Sequence, residues 1–155
     1  MSFTIDMKKF IAKANKNVND VIGVTIIGMT EQVIRMSPVG NPSLWTKEFV
    51  KAATELGWIG AGYVGGRFRA NWDYGIGSAP RSQYDAIDKT GSTSMDRVKS
   101  KITTDMAGKV HYIVNNLPYA QRLEDGYSTQ APAGMVGLTV IKFQSIVDAA
   151  ARSLK

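Results

Sequence analysis

The chain has no cysteine, and histidine occurs once, at position 111, in 155 residues. Without cysteine there is no disulfide framework, no thiolate nucleophile and no zinc ribbon. With one histidine, a metal site would have to be built mostly from carboxylates. No apolar run approaches the length of about 20 residues that spans a bilayer. The first residues lack the basic, apolar and small-residue succession of a secretory leader. These absences read as a soluble chain made in a reducing cytoplasm. Five prolines and a charged fraction of 21% against 44% hydrophobic are ordinary for a globular domain. Charge is uneven in sign: 19 Lys and Arg against 13 Asp and Glu give +6. Such a balance is necessary for sequence-independent contact with phosphates, but a solvated basic surface also produces it. The length is that of one domain with a real core.

Alternation is clearest in Gly65–Gly77. From Phe68 onward, Phe68, Ala70, Trp72, Tyr74 and Ile76 fall on one face of an extended chain, with Arg67, Arg69, Asn71, Asp73 and Gly75 on the other. Period two predicts a half-buried strand with the aromatic face toward the core. A second strand is predicted over Lys109–Asn115, with Val110, Tyr112 and Val114 inward and His111 and Ile113 opposed. Helical spacing dominates elsewhere. From about Thr4 to Met36, apolar residues recur every three or four positions. Thr4 or Ser2 serves as cap and Asp6 faces the positive end of the dipole. Ile26, Ile27 and Ile34 add a second stripe, so the latter half is expected to be buried on two sides. Gly23 and Gly28 permit a close approach or a bend. At 1.5 Å per residue such a helix is roughly 50 Å long, so one part should project. Ser37-Pro38 ends it.

Thr46 caps a predicted helix over Lys47–Leu56, and Trp45 and Trp58 read as pins in a glycine-rich segment. Ser78–Ser94 reads as a long mobile loop. Short helices follow at Met95–Thr103, capped by Ser94, and at Tyr119–Asp125, opened by Pro118 and stopped at Gly126. Tyr127–Ala133 is a loop, and a last helix is predicted over Met135–Leu154. The fold class is therefore α+β: a long N-terminal and a C-terminal helix packed on a small antiparallel sheet, in one domain. Its core candidates are Phe68, Trp72, Tyr74, Ile76, Val110, Tyr112 and Val114.

No catalytic constellation emerges. His111 in mid-strand reads as a packed, hydrogen-bonded side chain. Glu124 and Asp125 are adjacent, and adjacent residues on a helix do not face one another. Gly60-x-Gly62-x-x-Gly65 has the letters of a dinucleotide fingerprint, but no strand leads into it and no helix follows. Gly65-Gly66-Arg67-Phe68-Arg69 combines arginine with an aromatic, as single-strand binders do. A strand whose polar face is solvated, or pairs with acids of another subunit, is the preferred reading. No enzyme activity, cofactor or metal is expected.

Three pieces resemble one family in order and spacing. They are the helix ending in Ser37-Pro38-Val39; the run Gly66-Arg67-Phe68-Arg69-Ala70-Asn71-Trp72; and Tyr119-Ala120-Gln121-Arg122-Leu123-Glu124-Asp125-Gly126-Tyr127-Ser128 followed by Gln130-Ala131-Pro132-Ala133-Gly134-Met135. Together they are similar to the small neck and tail-completion proteins of tailed bacteriophages, the minor tail or head–tail joining components. In that family Ser-Pro-Val runs almost directly into the Gly-x-x-Arg element. Residues 40–64 intervene here and read as an insertion. The resemblance implies a structural virion protein, made in the bacterial host cytoplasm, that forms a hexameric ring at the top of the tail. It would complete the tail for joining to the head, beside connector, tube or terminator proteins, with DNA passing through its lumen unread. Arg67, Arg69, Tyr119, Arg122, Glu124, Asp125, Tyr127, Gln130 and Met135 become candidates for subunit or ring contacts. The alternatives are a tail terminator that caps the tube and, from another class, a basic DNA-binding protein.

Overall fold

The computed structural model describes residues 3–60 and 62–154, with side chains from Met7 onward in the first helix. Helix α1 runs Phe3–Met36 and α2 Lys47–Glu55. Strand β1 is Trp72–Ile76, α3 Ser92–Ser100, β2 His111–Asn115 and α4 Ala120–Glu124. Two final helices follow, α5 Val136–Ile141 and α6 Phe143–Ser153. The architecture is α+β: helices α1, α3, α5 and α6 gathered about a two-stranded antiparallel sheet. Ser2 lies outside the described residues, as do the side chains of Thr4 and Asp6, on which the predicted capping of α1 rests.

Helix α1 is the axis of the fold, and only its second half is covered. Every residue from Met7 to Val18 is exposed, whereas Thr25, Ile26, Thr30, Val33 and Ile34 are buried. The two glycines mark close helix packing. A β-carbon on Gly23 would lie 3.0 Å from Ile102, and one on Gly28 2.9 Å from Ile146 of α6.

The predicted strand over Phe68–Ile76 is shorter than its alternation implied. Arg69–Asn71 forms a 3-10 turn and the strand begins at Trp72. Asn71 is the cause. Its side-chain amide donates to the Arg67 carbonyl four residues back and to the Tyr84 carbonyl, and it accepts from the Tyr84 amide. A short amide side chain offers the backbone this local alternative to a ladder. Phe68, Ala70, Trp72 and Tyr74 are buried as predicted, and Ile76 is half-buried.

In β2 the predicted faces are reversed. Tyr74 pairs with Ile113 and Ile76 with His111, while Tyr112 and Val114 pair with Gly75 and Asp73. Because side chains alternate with period two, a one-residue shift of register exchanges the faces. Ile113 packs against both core clusters, one around Trp72 and Met135 and the other around Tyr74 and Met106. Tyr112 and Val114 are half-buried on the far face, and Val110 precedes the strand at 60% exposure, so it is not core.

That far face is not solvated either, because the segment after β1 folds across it. Asn116 donates to the Pro80 and Ser82 carbonyls, and the Tyr84 hydroxyl donates to Asp73, itself only 1% exposed. Residues 78–91 thus lack secondary structure, as predicted, but are pinned by Asn71, Asp73 and Asn116. At their end Asp88 accepts from Thr90, Ser92 and Thr93 and so starts α3 at Ser92. The predicted cap Ser94 lies inside that helix, where its hydroxyl donates to the Arg69 carbonyl. The single C-terminal helix is broken at Lys142 after the β-branched run Thr139-Val140-Ile141, which helices accommodate poorly.

Candidate functional site

The end of α1, the run into β1 and the segment Tyr119–Met135 converge on one hub. The Ser37 hydroxyl donates to the Val33 carbonyl and accepts the Trp72 indole N–H at 2.8 Å. Arg69 spends all three guanidinium nitrogens on backbone carbonyls, those of Ser37, Lys89 and Arg35. A cation at the last carbonyls of α1 also complements the negative end of its dipole. Trp72 packs in the same cluster as Leu117, Ala131 and Met135.

The segment Tyr119–Met135 closes on itself like a clasp. The Glu124 carboxylate accepts from the amides of Met135, Val136 and Gly137, the otherwise unpartnered donors at the start of α5. Burial alone would raise its pKa, but the three N–H groups more than offset this and hold it below the ordinary value of 4.5. Two glycines make the fit. Gly126 (φ +83°) would place a β-carbon 2.5 Å from the Pro132 carbonyl oxygen, and Gly134 (φ +71°) 2.5 Å from that of Glu124. The Gln130 side chain then meets the Val39 backbone with both its groups, accepting from its N–H and donating to its C=O.

Beside the clasp, residues 40–59 line an aromatic cleft of about 350 Å³. Trp45 stacks on Tyr63 and meets Phe49 edge-on, and Trp58 tilts against Tyr119. Arg122 lies 4.3 Å from the Tyr127 ring centre and 5.5 Å from that of Trp58. Burial pushes the Tyr119 hydroxyl well above the usual phenol range. Arg67 donates to the Gly57 and Trp58 carbonyls and pairs with Asp85 at 3.1 Å, so it ties the turn after α2 to the residues after β1.

Of the nine contact candidates, Arg122, Asp125, Tyr127 and Gln130 are exposed, and Tyr119 lines the cleft. Arg69 and Met135, the latter 1% exposed, are turned inward and fully used within the chain, which corrects their reading as contact residues. Glu124 and Arg67 have intramolecular duties as well.

A larger apolar groove borders the hub at Val33 and Trp72. Helix α1 forms the floor of a groove of about 560 Å³ with Val21, Ile22, Thr25 and Met29. Val140, Phe143 and Val147 of α5 and α6 form one wall and the sheet forms the other. Val136, Val140 and Phe143 are 44%, 61% and 46% exposed in it. Thr25 Oγ1 is buried there with no hydrogen-bond partner among the described residues.

His111 borders this groove with both nitrogens engaged. Nε2 lies 3.1 Å from the Met106 carbonyl, which can only accept, so Nε2 carries the proton. Nδ1 then accepts from the Tyr74 hydroxyl at 2.8 Å. Among the described residues no group of three or more His, Asp or Glu side chains is placed to hold a metal ion.

Family models, curated proteins and solved structures offer no match to this chain. The site therefore stands on its own geometry. It consists of a polar hub paired through Ser37, Arg69, Trp72 and Glu124, with an aromatic cleft and an unfilled apolar groove both bordering it. No helix among the described residues is long and apolar enough to cross a membrane.

Proposed function

We propose that this chain is a structural subunit of a tailed-bacteriophage neck, without enzymatic activity, that completes the tail for joining to the head as a hexameric ring. The observation that carries the reading is the contrast between interior and surface. The Ser37, Arg69, Trp72 and Glu124 side chains of the hub are paired within the chain, while two apolar surfaces and the exposed half of α1 are left for other molecules. Contiguous apolar surface of this kind marks protein–protein contact. The assembly of the three resembling pieces into one packed hub supports the same reading. Its place would be the virion, beside connector and tube or terminator proteins.

Electron microscopy of a lysate from phage with a nonsense codon in this gene tests the proposal. Filled heads beside separate tails of normal length are the expected result. Tails of uncontrolled length would make the chain the tail terminator. Normal joined virions would overturn both. The exposed lysines of α1 (Lys8, Lys9, Lys13 and Lys16) keep a DNA-binding role in view. A duplex affinity that falls steeply with salt would favour that role.

A further inference from the structure

We infer that the exposed half of α1 of one copy occupies the apolar groove of a second copy. Both surfaces belong to one uninterrupted stripe. Met7, Ile11, Ala14 and Val18 lead in steps of three and four to Ile22, Thr25 and Met29, the groove floor. Phe10, 69% exposed, widens the stripe at its outer end. A single helix face thus starts uncovered and ends as the bottom of a groove. The lengths agree. Met7–Val18 and Val21–Val33 each span about 18 Å at 1.5 Å per residue. The groove needs an occupant with apolar side chains at helical spacing, and this chain carries such a segment with every residue from Met7 to Val18 exposed. Lys9, Lys13 and Lys16 lie on the opposite side of the helix and stay in solvent when the stripe is seated. Thr25 Oγ1, buried without a partner, lies on the floor that the second copy would cover. The contact itself stands independently of the neck reading; only its closure into a ring rests on that reading.

The absence of cysteine makes the contact directly testable in the full-length chain. Phe10→Cys chains and Val140→Cys chains, carrying different tags, are mixed and treated with a short bismaleimide. Mixed cross-linked pairs are expected in large excess over a control in which Leu44→Cys, 79% exposed beside the aromatic cleft, replaces Val140→Cys. Cross-linking no better than the control overturns the inference. In parallel, F10D/I11D is compared with the parent by sedimentation equilibrium. Both residues are exposed, so the melting temperature should hold while self-association weakens by about 100-fold or more. Unchanged association overturns the inference. So does a parent chain that stays monomeric while binding anionic phospholipid vesicles through the same two residues. If α1 docks but assembly stops at two copies, the inference stands and the ring falls. If rings form without the Phe10–Val140 link, the ring stands and the inference falls.

Discussion

Three backbone amides converge on the Glu124 carboxylate, and Glu124→Ala would leave all three without it. Helix caps and hydrogen bonds to charged groups are each worth about 1–3 kcal/mol. A loss of about 2 kcal/mol is therefore expected by urea titration, with Glu124→Gln losing less. The effect depends on pH. Glu124, Asp73 and Asp88 are all held below the ordinary carboxylate values of 4.5 and 3.8, although burial opposes the shift at each. Their stabilisation is present above those values and disappears as the pH falls through the lowered ones. Melting temperature should thus decline steadily below about pH 4.5, and Glu124→Gln should shallow that decline. Trp72 was legible as core from alternation alone, and Trp72→Ala should cost about 3–5 kcal/mol. Its partner was not. Nothing in Ser37-Pro38 announces that the hydroxyl meets an indole 35 residues on. Ser37→Ala, which strands that buried N–H, should cost about 1–3 kcal/mol. Glu124 was visible in a recognisable run, but its duty depends on a loop reversal set by Gly126 and Gly134, and so it read as a surface residue.

Element boundaries followed the sequence where packing agreed with local preference. The start of α2 was legible because the Thr46 side chain accepts from the Phe49 amide, a purely local bond. The end of α1 was legible because proline forbids continuation. Strand β2 was misjudged because three apolar residues outweighed His111 and Ile113 in the pattern. The face turned inward is set by Tyr74 across the ladder, a long-range fact. The two faces can be told apart by paired substitutions. Ile113→Asp places a charge among core side chains and should prevent folding. Val110→Asp, at a site 60% exposed, should change the melting temperature little. Helix α1 has its own gradient. Amides of residues 7–18 lack tertiary cover, so hydrogen exchange there should be far faster than in residues 23–34. Protection should appear in the outer half when copies assemble.

At the scale of the whole molecule, the fold class was readable because long periodic helices and one strong strand survive errors at their ends. The groove was not readable, since periodicity marks an apolar face without saying whether its own chain covers it. The aromatic cleft was half readable, as pins without a partner. Its partner is the clasp, brought alongside by the Gln130–Val39 pairing. If the cleft is a docking surface of the neck, Tyr127→Ala, at a site 74% exposed, should leave the melting temperature unchanged and reduce plaque yield. An unaltered yield would assign the cleft to folding alone.

The segment after Gly40 is joined to the body at a single place. Gly65 lies so close to Gly40 that a β-carbon on it would sit 2.1 Å from the Gly40 carbonyl oxygen. The two stems of residues 41–64 therefore touch, and the chain leaves and re-enters the body at one point. A segment attached in this way is a cassette. It could be gained, lost or exchanged without rethreading the hub, which lets the surface around the cleft diverge while α1, the sheet and the clasp are held constant.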